Sequence, residues 1–319
     1  MSSAAPQTVL ITGATGTAGR ATALALRDAG HHVIALGRRD PGITGITPVL
    51  GDVTKPAVLS ATIAIHRPSA VISCLASRTG APADAWALDH AANLALLEAA
   101  QRGDVAHFVL LSAICVQKPR LAFQHAKLAF EAALQASGLT WSIVRPTAYF
   151  KSLSGQIDRL RAGKLYLMFG DGQLTACKPI SDGDLGRYIA HCLRNPARQN
   201  AILPIGGPGP AITPAEMGAA LFDALGLPPR YRPVSPRVIG TIAGGLKVAG
   251  LFHKGLATKA ELARIGHYYA TESMLVWDAA RQCYDADATP EYGTETLFDF
   301  YRDLAAGRVV LDRGDHAVF

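Results

Sequence analysis

Three regularly spaced glycines follow an apolar run near the start of the chain. The run at 8–12 leads into Gly13, Gly16 and Gly19, and a helical pattern at 20–29 comes directly after them. In such a unit the first glycine permits a tight strand-to-helix turn, the second lets backbone N–H groups approach a pyrophosphate, and the third lets the helix pack closely on the strand. The positive end of the helix dipole then faces the phosphates. The predicted phosphate contacts are Gly13, Thr15, Gly16, Thr17, Ala18 and Gly19.

Two arginines, Arg38 and Arg39, follow the next apolar run at 31–36. A site for NAD usually places a carboxylate there, which accepts a hydrogen bond from the ribose 2′-hydroxyl. Arginine instead binds a 2′-phosphate through its planar guanidinium and stacks on the adenine. The pair therefore predicts NADPH as the cofactor. Asp52 and Val53 follow the third apolar run, at 47–50, where a carboxylate can accept a hydrogen bond from the adenine amino group. Aspartate after glycine is equally an ordinary turn residue.

Small and polar residues follow the later apolar runs, where the nicotinamide half of the cofactor is expected. Ser112 ends the fifth apolar run, at 107–112, and the helix predicted after it carries Phe123 and Lys127 on one face. His125 lies on another face of that helix and is predicted to be exposed. The further predicted cofactor contacts are Leu75 at the end of the fourth run (70–75), Ala76 and Ser77 directly after it, and Pro146 and Thr147 after the sixth run (140–145).

The elements that must position these residues alternate between strands and helices. Apolar runs predict strands at 8–12, 31–36, 47–50, 70–75, 107–112 and 140–145. Helical patterns separate them at 20–29, 56–65, 84–101 and 122–137. This alternation predicts an α/β fold with a doubly wound parallel sheet of the Rossmann type, whose strands are covered on both faces. Ligands of such folds bind beyond the carboxyl ends of the strands.

The pattern changes at about residue 151, where turn signals multiply and the strict alternation stops. We therefore predict an NADPH-binding domain over 1–150 and a smaller C-terminal lobe over 151–319 that mainly binds substrate. Within 179–205, a helix at 182–193 and a strand at 201–205 are predicted to return to the main sheet.

Composition excludes several classes of protein. The net charge is +6 over 319 residues, and the lysine and arginine residues are scattered rather than clustered with aromatic residues. Nucleic-acid binding is therefore not predicted. The five cysteines show no C-x-x-C spacing, which argues against a zinc site and a disulfide framework, and no other metal site is predicted. The first seven residues lack the features of a signal peptide and are interpreted as a disordered tag. The predicted location is the cytoplasm.

One apolar stretch, at 238–252, raises the question of membrane contact. It is interrupted by Lys247 and is shorter than the roughly 20 residues that a spanning helix needs. The favoured interpretation is a buried or lid helix, and the alternative is an interfacial or apolar-ligand surface. Peripheral contact with a negatively charged membrane also agrees with the basic net charge.

The strand-end Ser112 and the later Lys127 resemble the active-site pattern of the short-chain dehydrogenase/reductases, in which a serine is followed by Tyr-x-x-x-Lys. The resemblance implies that Lys127 anchors the nicotinamide ribose and that Ser112 is catalytic. This chain carries Phe123 where the family has its proton-donating tyrosine. Phenylalanine cannot donate a proton, which argues against an ordinary ketone reductase or sugar epimerase.

Longer strings resemble an atypical family of this class, the NADPH-dependent divinyl chlorophyllide a 8-vinyl reductases. These strings lie at 74–80, 145–153, 168–172, 176–181 and 268–275. The resemblance implies reduction of the C8 vinyl group of a chlorophyllide, or of its protochlorophyllide precursor, in chlorophyll or bacteriochlorophyll synthesis. It also implies association with photosynthetic membranes. A vinyl group has no oxygen to protonate, which agrees with the missing tyrosine.

A large, flat tetrapyrrole needs apolar surfaces and a cation for its carboxylate. The predicted substrate contacts are Phe123, Tyr149, Phe150, Phe169 and Lys178, with Lys178 for the carboxylate. Tyr149 is a candidate proton donor, and core packing is an equally good interpretation of Phe150. Two other functions stay open: an atypical reductase acting on another C=C or ether bond, and a non-enzymatic NADP-sensing protein. The oligomeric state is not predicted.

Overall fold

The computed structural model describes residues 6–235 and 254–310. They form two compact units, each of which is described by itself. The first unit comprises the chain up to Ser77, Pro82–Pro146 and Asp182–Pro204, and the second comprises Arg78–Ala81, Thr147–Ser181 and the chain from Ile205 onward. The predicted tag at 1–7 lies mostly, and the apolar stretch at 238–252 entirely, outside the described residues.

The strands, numbered along the described chain, are β1 Thr8–Thr12, β2 His32–Gly37, β3 Thr47–Leu50, β4 Ala70–Ser73, β5 His107–Leu111, β6 Thr140–Pro146, β7 Tyr166–Phe169, β8 Ala201–Ile205, β9 Tyr231–Val234, β10 Val276–Asp278 and β11 Cys283–Asp285. The α-helices are α1 Thr17–Asp28, α2 Pro56–His66, α3 Pro82–Ala85, α4 Asn93–Arg102, α5 Ala122–Gln135, α6 Phe150–Leu153, α7 Ile157–Arg161, α8 Asp182–Cys192, α9 Pro214–Leu225, α10 Lys254–Thr271 and α11 Leu297–Ala305. A π-helical segment spans Trp86–Ala92, and short 3-10 turns span Ile114–Gln117 and Pro196–Arg198.

A seven-stranded sheet forms the first unit, with the order β3-β2-β1-β4-β5-β6-β8. The pairs β1–β2, β2–β3, β1–β4, β4–β5 and β5–β6 are all parallel. Val9, Leu10 and Ile11 of β1 are fully buried, as expected for a strand covered on both faces. The predicted α/β Rossmann-type fold is therefore confirmed.

Helices cover the sheet through an apolar core. Phe108 of β5 and Phe130 of α5 are fully buried with ring centroids 5.9 Å apart, and they pack in one cluster with Leu96 of α4. On another helix pair, α8 lies so close to α1 that a Cβ on Gly186 would come within 2.5 Å of the Ala21 carbonyl oxygen. The segment Asp182–Pro204, which contains α8 and most of β8, belongs to the first unit, and the preceding stretch of that unit ends at Pro146.

Two helices differ from the prediction by more than the one or two residues seen at the other predicted boundaries. Helix α1 begins at Thr17 instead of residue 20, because Gly16 already occupies the extended N-cap position. The helix predicted over 84–101 is divided by the π-helical segment before Asn93. The Asn93 side-chain amide donates to the carbonyl oxygens of Leu88 (3.1 Å) and Asp89 (3.2 Å), which stabilises this wider turn. Periodicity of apolar residues does not distinguish such a turn from an ordinary helix.

The second unit contains two small sheets, a parallel pair of β7 and β9 and an antiparallel pair of β10 and β11. Tyr166, Phe222 and Tyr231 form an aromatic cluster between β7, β9 and α9. Tyr301, which is fully buried, donates its hydroxyl to the Leu153 carbonyl oxygen at 2.8 Å. Among the described residues, no helix combines the length and apolar character needed to cross a membrane.

Candidate functional site

The glycine loop has the geometry that a bound pyrophosphate requires. Gly13 has a positive φ of 81°, and a Cβ there would come within 2.5 Å of the Cys74 carbonyl oxygen. A Cβ on Gly19 would come within 2.1 Å of the Gly13 carbonyl oxygen. The helix and the turn therefore lie too close together for any residue with a side chain at position 19. Gly16 is the N-cap residue of α1 and provides no side-chain cap. The first turn of α1 can therefore serve an anion, and the residues fit the phosphates of a dinucleotide.

The loop after β2 presents two exposed arginines, Arg38 and Arg39. The carboxylate that follows them, Asp40, accepts a hydrogen bond from the Gly42 N–H at 2.7 Å and so belongs to its own turn. Arg20 of α1 donates to the Pro41 carbonyl oxygen at 2.5 Å, which ties this loop to the helix after the glycines. The loop thus offers guanidinium groups at the position where NAD sites usually offer a carboxylate.

Asp52 also forms part of a local turn. Its Oδ1 accepts hydrogen bonds from the Thr54 N–H (3.0 Å) and the Thr54 hydroxyl (2.8 Å). The Thr54 N–H is the main reason that the pKa of Asp52 is lowered, so the group is ionised at neutral pH. Val53 beside it is buried. The turn interpretation of Asp52 is confirmed, while its contact with adenine stays a prediction.

A network of polar side chains lies at the carboxyl end of β4. Ser73 donates its hydroxyl to Asn93 Oδ1 at 2.5 Å, and Thr12 of β1 donates to Ser73 Oγ at 3.4 Å. In the loop that follows, the Ser77 N–H donates to Asp89 Oδ2 at 3.2 Å. Leu75 in the same loop is buried, whereas Ala76 is exposed. The π-helical segment thus binds the loop that carries the predicted cofactor contacts after β4, through the hydrogen bond from Ser77 to Asp89.

Lys127 lies on the buried side of α5 and forms an ion pair with Asp89. The Lys127 Nζ is 2.8 Å from Asp89 Oδ1, and the two side chains are 10% and 1% exposed. Phe123, one turn earlier, is half-buried, and His125 is exposed as predicted. The positive charge of Lys127 also acts on the nearby Cys74 thiol, where it opposes the larger effect of burial on the pKa. Lys127 therefore faces the strand ends rather than solvent.

Ser112 belongs to a second buried network in the first unit. Its hydroxyl donates to Glu131 Oε1 at 2.5 Å, and the Arg145 guanidinium binds both oxygens of the same carboxylate. Ser112 and Glu131 are 4% and 1% exposed. Because the hydroxyl hydrogen points to Glu131, Ser112 offers a ligand its acceptor lone pairs rather than its donor. A catalytic role of Ser112 stays a prediction within that limit.

The remaining predicted residues, from Thr147 onward, belong to the second unit. Thr147 donates its N–H to the Ile205 carbonyl oxygen at 2.9 Å and its hydroxyl to the Lys178 carbonyl oxygen. Tyr149 is half-buried at the start of α6 and pairs through its backbone with Ile180. The peptide segment that carries Tyr149 is thus fixed by strand-like hydrogen bonds.

Two of the predicted substrate residues already have partners within the second unit. Phe150 is 3% exposed and packs against Phe300 with ring centroids 5.5 Å apart, which favours the core interpretation. The Lys178 ammonium lies 2.6 Å from Glu291 Oε1 and donates to the Thr289 carbonyl oxygen at 3.4 Å. A substrate carboxylate would have to displace Glu291 from this lysine. Phe169 of β7 is half-buried.

Sequence reasoning missed Asp89, Glu131 and Arg145. A signal existed for Asp89, since it falls on the apolar face of its helical pattern with Ala85 and Ala92 and is buried like them. A charged residue on such a face is rarely buried without a partner. No spacing rule, however, connects it with Lys127 on another helix.

The family of NAD(P)H-binding proteins matches residues 13–196 of the chain. The divinyl chlorophyllide a 8-vinyl-reductase of Zea mays, described as chloroplastic, is 45% identical over 336 residues, which covers 99% of this chain and 84% of that protein. The corresponding protein of Oryza sativa subsp. indica is 44% identical, with 98% and 82% covered. The Escherichia coli NADPH-dependent quinone oxidoreductase QOR2, solved with NADPH, shares the fold at 17% identity, with a TM-score of 0.67 over 93% of this chain and 99% of that chain.

The likeness to the reductases extends over both units, because it covers 99% and 98% of this chain. An identity above 40% over nearly the full length of a chain is more than a shared Rossmann-type fold requires. The chain therefore belongs to the NAD(P)H-binding proteins and, among them, to the family of the divinyl chlorophyllide a 8-vinyl-reductases.

Proposed function

We propose that the protein reduces the 8-vinyl group of divinyl chlorophyllide a to an ethyl group, with NADPH as the reductant. The observation that carries this proposal is the 45% identity to the Zea mays reductase over 99% of the chain. The protochlorophyllide precursor carries the same vinyl group and is included in the proposed substrate class. The geometry of the site supports the cofactor and the type of reaction separately.

The choice of NADPH over NADH rests on the loop after β2. Arg38 and Arg39 are exposed there, and Asp40 is bonded to Gly42 within its own turn. A 2′-phosphate carries the negative charge that two guanidinium groups bind well, whereas a 2′-hydroxyl gains less from them. The predicted ribose-phosphate site is therefore complementary to NADP rather than to NAD.

The reaction needs a hydride at the terminal vinyl carbon and a proton at the adjacent carbon. Bound NADPH supplies the hydride, and the developing negative charge spreads into the conjugated macrocycle. Since no carbonyl oxygen has to be protonated, the reaction does not require the tyrosine hydroxyl that is missing at position 123, where this chain has phenylalanine. The contribution of the protein is then mainly alignment, which can lower a barrier by several kcal/mol.

Lys127 is proposed to hold the nicotinamide ribose. Its ammonium has three N–H donors, and the ion pair with Asp89 at 2.8 Å engages one side of it. The remaining donors suit the two hydroxyl groups of a ribose. Tyr149 is proposed as the proton donor, because a phenol O–H on a half-buried residue can transfer a proton without full exposure to water.

In the second unit, Tyr149 and Phe169 are proposed as aromatic contacts of the flat macrocycle, since each is half-buried and so offers part of its ring. Phe150 of the same unit lies in the core, where it packs against Phe300. In the first unit, Phe123 is likewise half-buried and is proposed as an aromatic contact in its own right. Lys178 is proposed to bind the propionate in exchange for Glu291. The Glu291 side chain is 45% exposed, so it can leave the lysine for solvent at modest cost.

Isotope labelling tests the proposal. The protein is incubated with divinyl chlorophyllide a and NADPH that carries deuterium at the transferable position, and the product is analysed by mass spectrometry and NMR. We expect one deuterium per product molecule, on the terminal carbon of the new ethyl group. Product without deuterium would contradict direct hydride transfer. Bound NADPH with no product would favour the NADP-sensing alternative.

A further inference from the structure

We infer that Asp89 is a positioning residue that fixes the Lys127 ammonium and the loop after β4 for the nicotinamide half of the cofactor. This inference rests on the proposed function, in which Lys127 holds the nicotinamide ribose, and on the predicted contact of Ser77 with the cofactor. Nothing in the sequence patterns or in the relatives' names assigns a role to this residue. It follows from the geometry of one buried carboxylate.

The two oxygens of Asp89 bind two different elements. Its Oδ2 accepts the Ser77 N–H at 3.2 Å, and its Oδ1 lies 2.8 Å from the Lys127 Nζ. Ser77 and Lys127 are distant in sequence, and each was predicted independently to contact the cofactor, one from its place after β4 and one from its place on α5. A single carboxylate therefore couples the positions of two predicted cofactor contacts.

Stability alone is a poor explanation for this ion pair. The Asp89 and Lys127 side chains are 1% and 10% exposed, so both charges have lost most of their hydration. Attraction between buried charges roughly repays that loss, and an apolar pair of similar volume is often at least as stable. What an ion pair adds is a fixed place for the ammonium, and a ribose anchor needs such a place.

The local backbone places Asp89 for this task. Asp89 lies in the π-helical segment Trp86–Ala92, and such segments are frequent at functional sites. Asn93 donates to the carbonyl oxygens of Leu88 and Asp89 and accepts the Ser73 hydroxyl at 2.5 Å. The π-helical turn is thus bonded to the end of β4, the same strand end from which the Ser77 loop departs.

Removal of the charge at position 89 should weaken cofactor binding through Lys127. In Asp89→Asn the side chain keeps its shape and an oxygen for the Ser77 N–H, but it no longer attracts the ammonium. The ammonium is then no longer held beside position 89, and the ribose hydroxyls lose a positioned donor. Residues coupled in this way have non-additive effects when both are changed.

A double-mutant cycle on the full-length protein tests the inference, with the Kd for NADPH measured by calorimetry in the absence of pigment. We expect Asp89→Asn to raise the Kd about tenfold, within the range that coupled neighbours show. We expect Lys127→Met to raise it at least as much, and the double variant to match Lys127→Met within about twofold. Asp184→Asn is the matched control, because Asp184 is a 1% exposed carboxylate of the same unit that pairs with Arg187.

The inference is overturned if Asp89→Asn binds NADPH like the parent protein, or if the two substitutions multiply their effects in the double variant. If Asp89→Asn does not fold, as judged by circular dichroism, the double variant decides, because it removes both charges together. It must then bind NADPH as Lys127→Met does. Since no pigment is used, these outcomes do not depend on whether the protein reduces a vinyl group.

Discussion

Asp89 and Lys127 form a buried ion pair, with 2.8 Å between the carboxylate Oδ1 and the ammonium Nζ. The pair joins the π-helical segment before α4 to helix α5, and these elements follow the neighbouring strands β4 and β5 along the chain. Ligands of doubly wound folds bind beyond the carboxyl ends of the strands. The ion pair therefore connects the two connections in which the nicotinamide half of the cofactor is predicted to bind.

The first prediction concerns cofactor choice. Replacement of Arg38 and Arg39 by alanine should raise the Kd for NADPH about ten- to a hundredfold, because charge-assisted hydrogen bonds to the 2′-phosphate are lost. The Kd for NADH should stay nearly constant. Titration calorimetry with both cofactors measures the difference. Arg102→Ala, which removes an exposed arginine at the end of α4, is the control. Equal weakening for NADPH and NADH would rule out a 2′-phosphate site here.

The second prediction separates two glycines of the same loop. A Cβ on Gly19 would lie 2.1 Å from the Gly13 carbonyl oxygen, so Gly19→Ala should lower the free energy of unfolding by at least about 2 kcal/mol. A Cβ on Gly16 would meet that oxygen only at 3.4 Å. Gly16→Ala should therefore fold normally but bind NADPH weakly, since the methyl group obstructs the pyrophosphate. Urea unfolding and NADPH titration measure the two effects, and normal NADPH affinity of Gly16→Ala would count against the phosphate site.

The third prediction concerns the proton donor. Tyr149→Phe should lower kcat by about a hundredfold, the usual contribution of a general acid, while the KM for NADPH stays unchanged. Tyr269→Phe is the control, because Tyr269 is 42% exposed in the same unit. Steady-state rates at saturating pigment measure the effect. Parental kcat in Tyr149→Phe would exclude the tyrosine as the donor and leave water as the source.

The fourth prediction concerns stability at acidic pH. Burial lowers the pKa of His107 to about 4, and the ring donates to Ser142 at 2.9 Å. In the unfolded chain His107 binds a proton near pH 6.5, whereas in the folded chain it binds one only near pH 4. The free energy of unfolding therefore decreases as the pH falls from about 6.5 to about 4. Between pH 7.5 and pH 5 the loss from this group is roughly 2 kcal/mol.

Urea unfolding at the two pH values measures this loss, and His107→Gln should remove it. His125→Gln is the matched control, because His125 is exposed and its substitution should leave the pH dependence as in the parent. The same pH dependence in His107→Gln and the parent would show that His107 titrates normally in the folded protein.

Features that depend on local sequence could be predicted, and features that depend on tertiary contact could not. The glycine loop, the arginines after β2 and the place of Lys127 beside Phe123 on one face of α5 follow from spacing, strand ends and helical periodicity, which one chain displays by itself. The pairing of Asp89 with Lys127 connects two helices with no fixed separation in sequence. Only the folded arrangement brings such residues together.

The same distinction applies to the candidate substrate residues. Lys178 and Glu291 lie far apart in the sequence, so the sequence alone does not show that the lysine has an acidic partner. In the sequence Phe150 is compatible with both the core and a substrate surface, and its contact with Phe300 favours the core. In each case a partner from a remote segment changes what the side chain can offer to a ligand.

The most direct test of the account is an absorbance measurement of the reaction itself. The protein is mixed with divinyl chlorophyllide a and NADPH, and the Soret band and the NADPH absorbance are followed together. Loss of a vinyl group from conjugation predicts a blue shift of the Soret band, with one NADPH consumed per pigment reduced and a much slower reaction with NADH. An unchanged Soret band in a sample that binds both NADPH and pigment would contradict the proposed vinyl reduction.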